Sequence, residues 1–129
     1  MPFDSLPENN TTIPQVVLDL IAARSYLDTH GWCKGQMERG PKRCMLGAVR
    51  QVTLTEHIRI TPNAIKQQKL NCELQQREVQ ANGALAKAIQ RSSRSAPLSI
   101  PTWNDLKSRT YAQVRALFDN AINYEQQAK

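Results

Sequence analysis

Thr110-Tyr111-Ala112-Gln113-Val114-Arg115-Ala116-Leu117-Phe118-Asp119-Asn120-Ala121-Ile122 is the stretch that decides the fold class. Thr110 and Gln113 stand three residues apart, the spacing of a capping box in which each side chain bonds the other's backbone amide. Tyr111, Val114, Leu117, Phe118, Ala121 and Ile122 then recur at intervals of three and four, which lines one face of a helix. Far upstream, Ile13, Val16, Val17, Leu20, Ile21 and Leu27 repeat that period. Thr12 is available there as N-cap and Pro14 is tolerated in the first turn, so the spacing predicts a helix over 13–30 with Gly31 as its αL stop.

Between these two helices the pattern is less regular. Trp32 to Arg43 contains Gly35, Gly40 and Pro41 and reads as a turn-rich loop. Cys44 to Val52 has the apolar spacing of a buried helix, although the β-branched tail Val52-Thr53-Leu54-Thr55 blurs its end and leaves room for a short strand near Thr53 to Ile60. Thr61-Pro62-Asn63 is a helix-start signal. Behind it Leu70, Leu74, Ala81, Leu85, Ala88 and Ile89 share a stripe that Arg77 and Gly83 weaken, so a break in this third helix is expected. Ser92 to Pro97 has a linker's composition, and Ile100 to Asp105 reads as an ordered loop, too rich in turn residues for a helix interior. No run alternates with period two between hairpin turns, and no repeat recurs at a fixed period. The expectation is an all-α, compact bundle of about four helices with two ordered Trp-containing loops: a flexible segment over 1–12, then one helical domain over 13–127.

Four clusters carry a resemblance: Gly31-Trp32-Cys33-x-Gly35, Cys44-x-Leu46-Gly47-Ala48, Ile100-Pro101-x-Trp103-Asn104-Asp105 and Arg109-Thr110-x-x-x-Val114. In their order and spacing the chain resembles a family of small bacterial and phage proteins known only as a domain of unknown function. The resemblance spans roughly 13–123 and implies a small helical domain without an assigned activity. The Gln-rich segment 66–80 has no counterpart in those clusters.

Composition narrows the function classes. The 129 residues are 40% hydrophobic and 22% charged, those of a folded domain that buries about two thirds of its unfolded surface. The best apolar run, Val16 to Ala23, is broken by Asp19 and falls short of the ~18 residues a membrane helix needs, so no membrane role is expected. The first residues, Met1 to Glu8, lack a basic stretch followed by an apolar one, and three cysteines at irregular spacing suit a reducing compartment. A cytoplasmic location follows as an expectation. The net charge of +6 is unevenly spread: −3 over 1–30, +4 over 31–60, +4 over 61–95 and +1 beyond. A basic middle can meet phosphate. Residues 61–95 nevertheless carry no aromatic on which bases would stack.

Cys33 and Cys44 are read first as core packing, since free cysteine behaves as a small hydrophobe. A zinc site would have to gather His30, Cys33, Cys44 and His57 or Cys72 without the usual C-x-x-C pairing. A reactive thiol would draw on Lys34, Lys42 and Arg43 to lower its pKa. Asn104 and Asp105 suit loop closure, with Trp103 pinning the loop to the core. Alternatively Trp32, Cys33, Trp103, Asn104, Asp105 and Arg109 border one shallow pocket for a polar molecule or peptide, or Arg109 instead salt-bridges Asp105 as a structural clamp. No phosphate loop, nucleophile elbow or H-E-x-x-H is present. The leading expectation is a non-enzymatic interaction or regulatory module with a protein partner, no metal and no cofactor. The alternatives are a nucleic-acid-associated phage or host-defence factor using Lys34, Arg39, Lys42 and Arg43, and a small ligand-binding protein or thiol enzyme at the two Trp loops.

Overall fold

The computed structural model describes residues 13–53, 65–92 and 98–127. Five helices account for most of these residues: α1 (Gln15–His30), α2 (Met45–Thr53), α3 (Ile65–Ser92), α4 (Ile100–Asp105) and α5 (Tyr111–Gln127). Between α1 and α2 lies a two-stranded antiparallel ladder, β1 (Glu38–Arg39) and β2 (Lys42–Arg43). The protein is therefore mainly α-helical, with one more helix than the sequence period reveals.

α5 forms as its sequence dictates. The Gln113 amide donates to Thr110 Oγ1 (3.3 Å) and the Thr110 amide to Gln113 Oε1 (3.0 Å), closing the capping box. Val114, Leu117, Phe118, Ala121 and Ile122 are buried, and Tyr111 is half-buried at the stripe's edge. They pack with Val17, Leu20, Ala23 and Leu27 of α1, Met45, Ala48 and Val49 of α2, and Leu85, Ala88 and Ile89 of α3 in one apolar cluster. α1 packs against α2, α3 and α5, and α3 packs against all four other helices.

Several expectations change. Pro14 itself is the N-cap of α1, with no side-chain hydrogen bond, because its extended backbone (ψ 145°) starts the helix; Thr12 lies outside the described residues. Gly31 ends α1 at φ 103° and ψ 159°, an extended mirror-image conformation rather than αL, which essentially only glycine adopts. α3 is unbroken over Ile65–Ser92, Gly83 included. Arg77, which interrupts the stripe, has a partner: Asp19 on α1 is buried, and Arg77 grips both its oxygens at 2.7 and 3.1 Å. Ile100 to Asp105 is a helix, not a loop. Ser99 caps it through the Thr102 amide and Pro101 occupies its first turn, where a missing N–H costs nothing. A short ladder forms over 38–43, where no strand is expected, and Thr53 closes α2; the rest of the Thr53 to Ile60 stretch and Thr61-Pro62-Asn63 lie outside the described residues. Among the described residues no helix is long and apolar enough to cross a membrane.

Candidate functional site

The segment leaving α1 is tied to the start of α2 by backbone bonds. The Arg43 amide donates to the Gly31 carbonyl and the Cys33 amide to the Arg43 carbonyl, so Trp32 runs parallel to Arg43. The Cys44 amide donates to the Met37 carbonyl, folding the intervening residues into the hairpin, whose turn needs Gly40 at φ 60°. Gly47 brings α2 against this loop: a β-carbon there would lie 2.4 Å from the Met37 carbonyl oxygen.

Asn104 of α4 fastens the whole arrangement. It is 1% exposed, and every hydrogen-bonding site of its amide is used. Its Oδ1 accepts from Trp32 Nε1 (2.7 Å) and from the Met45 amide (3.2 Å); its Nδ2 donates to the Cys33 carbonyl (3.1 Å) and to Asp105 Oδ1 (2.8 Å). Asp105 Oδ1 also accepts from the Gly35 amide at 2.9 Å. One turn of helix thereby holds residues from the α1 exit, the loop and the α2 entrance.

The six pocket candidates do not border a single pocket. Trp32 and Cys33 line a concavity of about 300 Å³ with Lys34, Arg39 and Lys42. Trp103 and Arg109 line a different one of about 600 Å³ with Leu98, Leu106, Gln113 and Leu117, between α3, α4 and α5. Asn104 and Asp105 border neither: the Asn104 amide is buried and saturated, and Asp105 is exposed with its Oδ1 engaged by the Gly35 and Asn104 amides. The expected Asp105–Arg109 clamp is not formed. Instead the Arg109 guanidinium lies 3.6 Å from the centre of the Trp103 ring and its Nε donates to the Trp103 carbonyl at 2.9 Å. Burial against the indole pulls the Arg109 guanidinium down from its ordinary value.

Cys33 and Cys44 are buried free thiols and Cys72 is exposed. Cys33 Sγ donates to the Gln36 carbonyl, and Cys44 Sγ accepts from the Gly47 amide. Burial, then the neighbouring Cys44, pushes the Cys33 thiol up, the reverse of what a thiolate nucleophile needs. His30 is exposed and stacks on Tyr26; His57 lies outside the described residues. Among the described residues no three His, Cys, Asp or Glu side chains are gathered as a metal set.

The four basic candidates also divide. Arg43 is engaged by the protein: its guanidinium bonds the Gly40 and Lys42 carbonyls and Gln51, and lies 3.8 Å from Glu38. Lys34 Nζ donates to the Leu106 and Lys107 carbonyls and stands 5.5 Å from the Trp32 ring centre. Arg39 and Lys42 are exposed, and among the described residues neither has an ion-pair partner.

A second polar cluster escaped sequence reasoning because its members come from opposite ends of the chain. Asp28 of α1 accepts from the Tyr111 hydroxyl (2.6 Å) and Arg115 Nε (3.1 Å), and Arg24 pairs with Asp119 at 2.6 Å. The Tyr111 hydroxyl and Arg115 hold the Asp28 carboxyl below its ordinary value, while burial and Asp28 push the Tyr111 phenol up. This cluster laces α1 to α5.

Comparison with curated proteins and with solved structures gives no match. A family model matches residues 11–124, which include all four clusters quoted above. The chain belongs to that family, a family of unknown function designated DUF6197.

Proposed function

We propose that this protein is a small non-enzymatic interaction module that presents the segment 32–43 to a protein partner. One observation carries the reading: the Trp32 indole is fixed by its bond to the buried Asn104 yet remains half-buried at the surface beside Lys34, Arg39 and Lys42. A ring immobilised before binding gives up little further entropy, and Trp with cationic neighbours is a frequent interface anchor. The groups an enzyme would use support the same reading. The Asn104 amide is saturated, one Asp105 oxygen bonds Gly35 and Asn104, and the Cys33 thiol is pushed away from its nucleophilic form. As a protein of bacterial or phage type keeping free thiols, it would work in the reducing cytoplasm.

The test is capture of partners from the source cell by wild-type protein and by Arg39→Glu, with Trp32→Phe as a second variant and circular dichroism on each. Proteins retained by wild type are expected to be lost from Arg39→Glu while helicity stays unchanged. Identical captures by all three folded proteins would contradict the reading.

The second reading is a nucleic-acid-associated protein, favoured by the same indole among three cations, an arrangement suited to stacking a base above a phosphate. Arg43 contributes little to it because its guanidinium is bonded inward. Steeply salt-dependent, submicromolar binding to single-stranded DNA or RNA would put this reading first.

A further inference from the structure

We infer that the concavity between Trp32 and the hairpin is a binding site for a phosphomonoester dianion. The inference rests on the reading of segment 32–43 as the recognition surface and names the chemistry it recognises.

The two rungs of the hairpin carry the argument. Glu38 is paired with Arg43, and Arg39 with Lys42. Side chains of successive rungs point to opposite faces of a ladder. The first rung is an opposite-charge pair at 3.8 Å. The second places two cations directly across from one another, an arrangement that destabilises a ladder unless an anion joins it. That second rung borders the concavity, where Lys34 supplies a third cation and no acidic side chain contributes to the lining.

Two of the three cations are positioned rather than merely nearby. The stem of Lys42 lies over Gly31, where a β-carbon would come within 3.0 Å of its Cγ. Lys34 Nζ spends two of its three donors on the Leu106 and Lys107 carbonyls, which leaves one for a ligand. Three cationic heads outmatch a single carboxylate. A phosphomonoester brings a charge of about −1.5 to −2 and three acceptor oxygens, one for each head. The volume of about 300 Å³ suits one such group on a larger body, with the Trp32 ring beside whatever carries it. That carrier is either a free mononucleotide or a phosphorylated side chain of the partner.

The experiment is an amide and indole NMR titration of the full chain with AMP, O-phosphoserine and inorganic phosphate, against acetate and chloride at matched ionic strength. Saturable shifts are expected at the Trp32 indole and at the Lys34, Gly35, Arg39 and Lys42 amides with the phosphates only. Affinity should fall about tenfold in Arg39→Ala and in Lys42→Ala, the loss of one charge-assisted hydrogen bond each. Tighter binding of AMP assigns the site to a free nucleotide and tighter binding of O-phosphoserine to a modified partner; either result supports the inference. Shifts that acetate reproduces, or affinities unchanged in both variants, would overturn it. In that event partner capture that still depends on Arg39 leaves the interaction reading standing. Phosphate binding without any captured partner would instead remove the interaction reading and leave the site.

Discussion

The two tryptophans belong to segments that were expected to be alike, and the molecule uses them in opposite ways. Trp103 is 7% exposed, packed into the common core under Arg109, and its carbonyl receives the Arg109 Nε. Trp32 is bonded to Asn104 and packs at the edge of the core with Tyr111, yet leaves part of its ring beside Lys34, Arg39 and Lys42. Because Trp103 and Asn104 are adjacent, the buried ring anchors the same helical turn that orients the half-buried one. The comparison teaches that one motif supports and the other displays.

Truncation separates the two most sharply. Trp103→Ala should cost about 4 kcal/mol of unfolding free energy, as expected for a large core side chain, and Trp32→Ala about half as much, both measured by urea denaturation. Equal losses would break the comparison. Asn104→Ala should fall between the two, at about 3 kcal/mol, because it strands the Trp32 indole N–H, the Met45 amide and the Cys33 carbonyl without partners. The Trp32 indole NMR signal should broaden in this variant while that of Trp103 stays sharp.

A smaller effect is set by pH and lies away from both rings. Asp28 has its carboxyl lowered by the Tyr111 hydroxyl and Arg115, so the folded state holds its proton less tightly than the unfolded chain. Its contribution is therefore full above the ordinary value of 3.8 and disappears as pH falls through the lower folded value. Wild type should melt slightly above Asp28→Asn at neutral pH and coincide with it in strong acid. A gap that persists there would detach the effect from the carboxylate.

Sequence alone reveals what depends on near neighbours. The capping box of Thr110 and Gln113 and the stripe from Val114 to Ile122 are local, and α5 follows them. α4 is missed because six residues are too few to show a period, although Ser99 and Pro101 are sound start signals in hindsight. Arg77 reads as a flaw in α3 until Asp19, on another helix, is seen beneath it. The hairpin leaves no alternation because its four strand residues are all charged, and only the register separates Glu38–Arg43 from Arg39–Lys42. Five of the six pocket candidates lie at or next to the Asn104 clamp, yet which way each side chain turns puts Trp32 and Cys33 in one concavity, Trp103 and Arg109 in another, and Asn104 and Asp105 in neither.

The smallest expected change in stability accompanies the account's central claim, that the Arg39–Lys42 rung exists for a ligand and not for the fold. The double variant Arg39→Ala/Lys42→Ala removes two exposed cations facing each other across the ladder. Its unfolding free energy should match wild type within about 0.5 kcal/mol, or rise slightly as the repulsion is relieved. Titrated in parallel, it should no longer bind the phosphomonoester that wild type binds. A double variant that keeps wild-type affinity, or that loses more than about 1 kcal/mol of stability, would contradict the account.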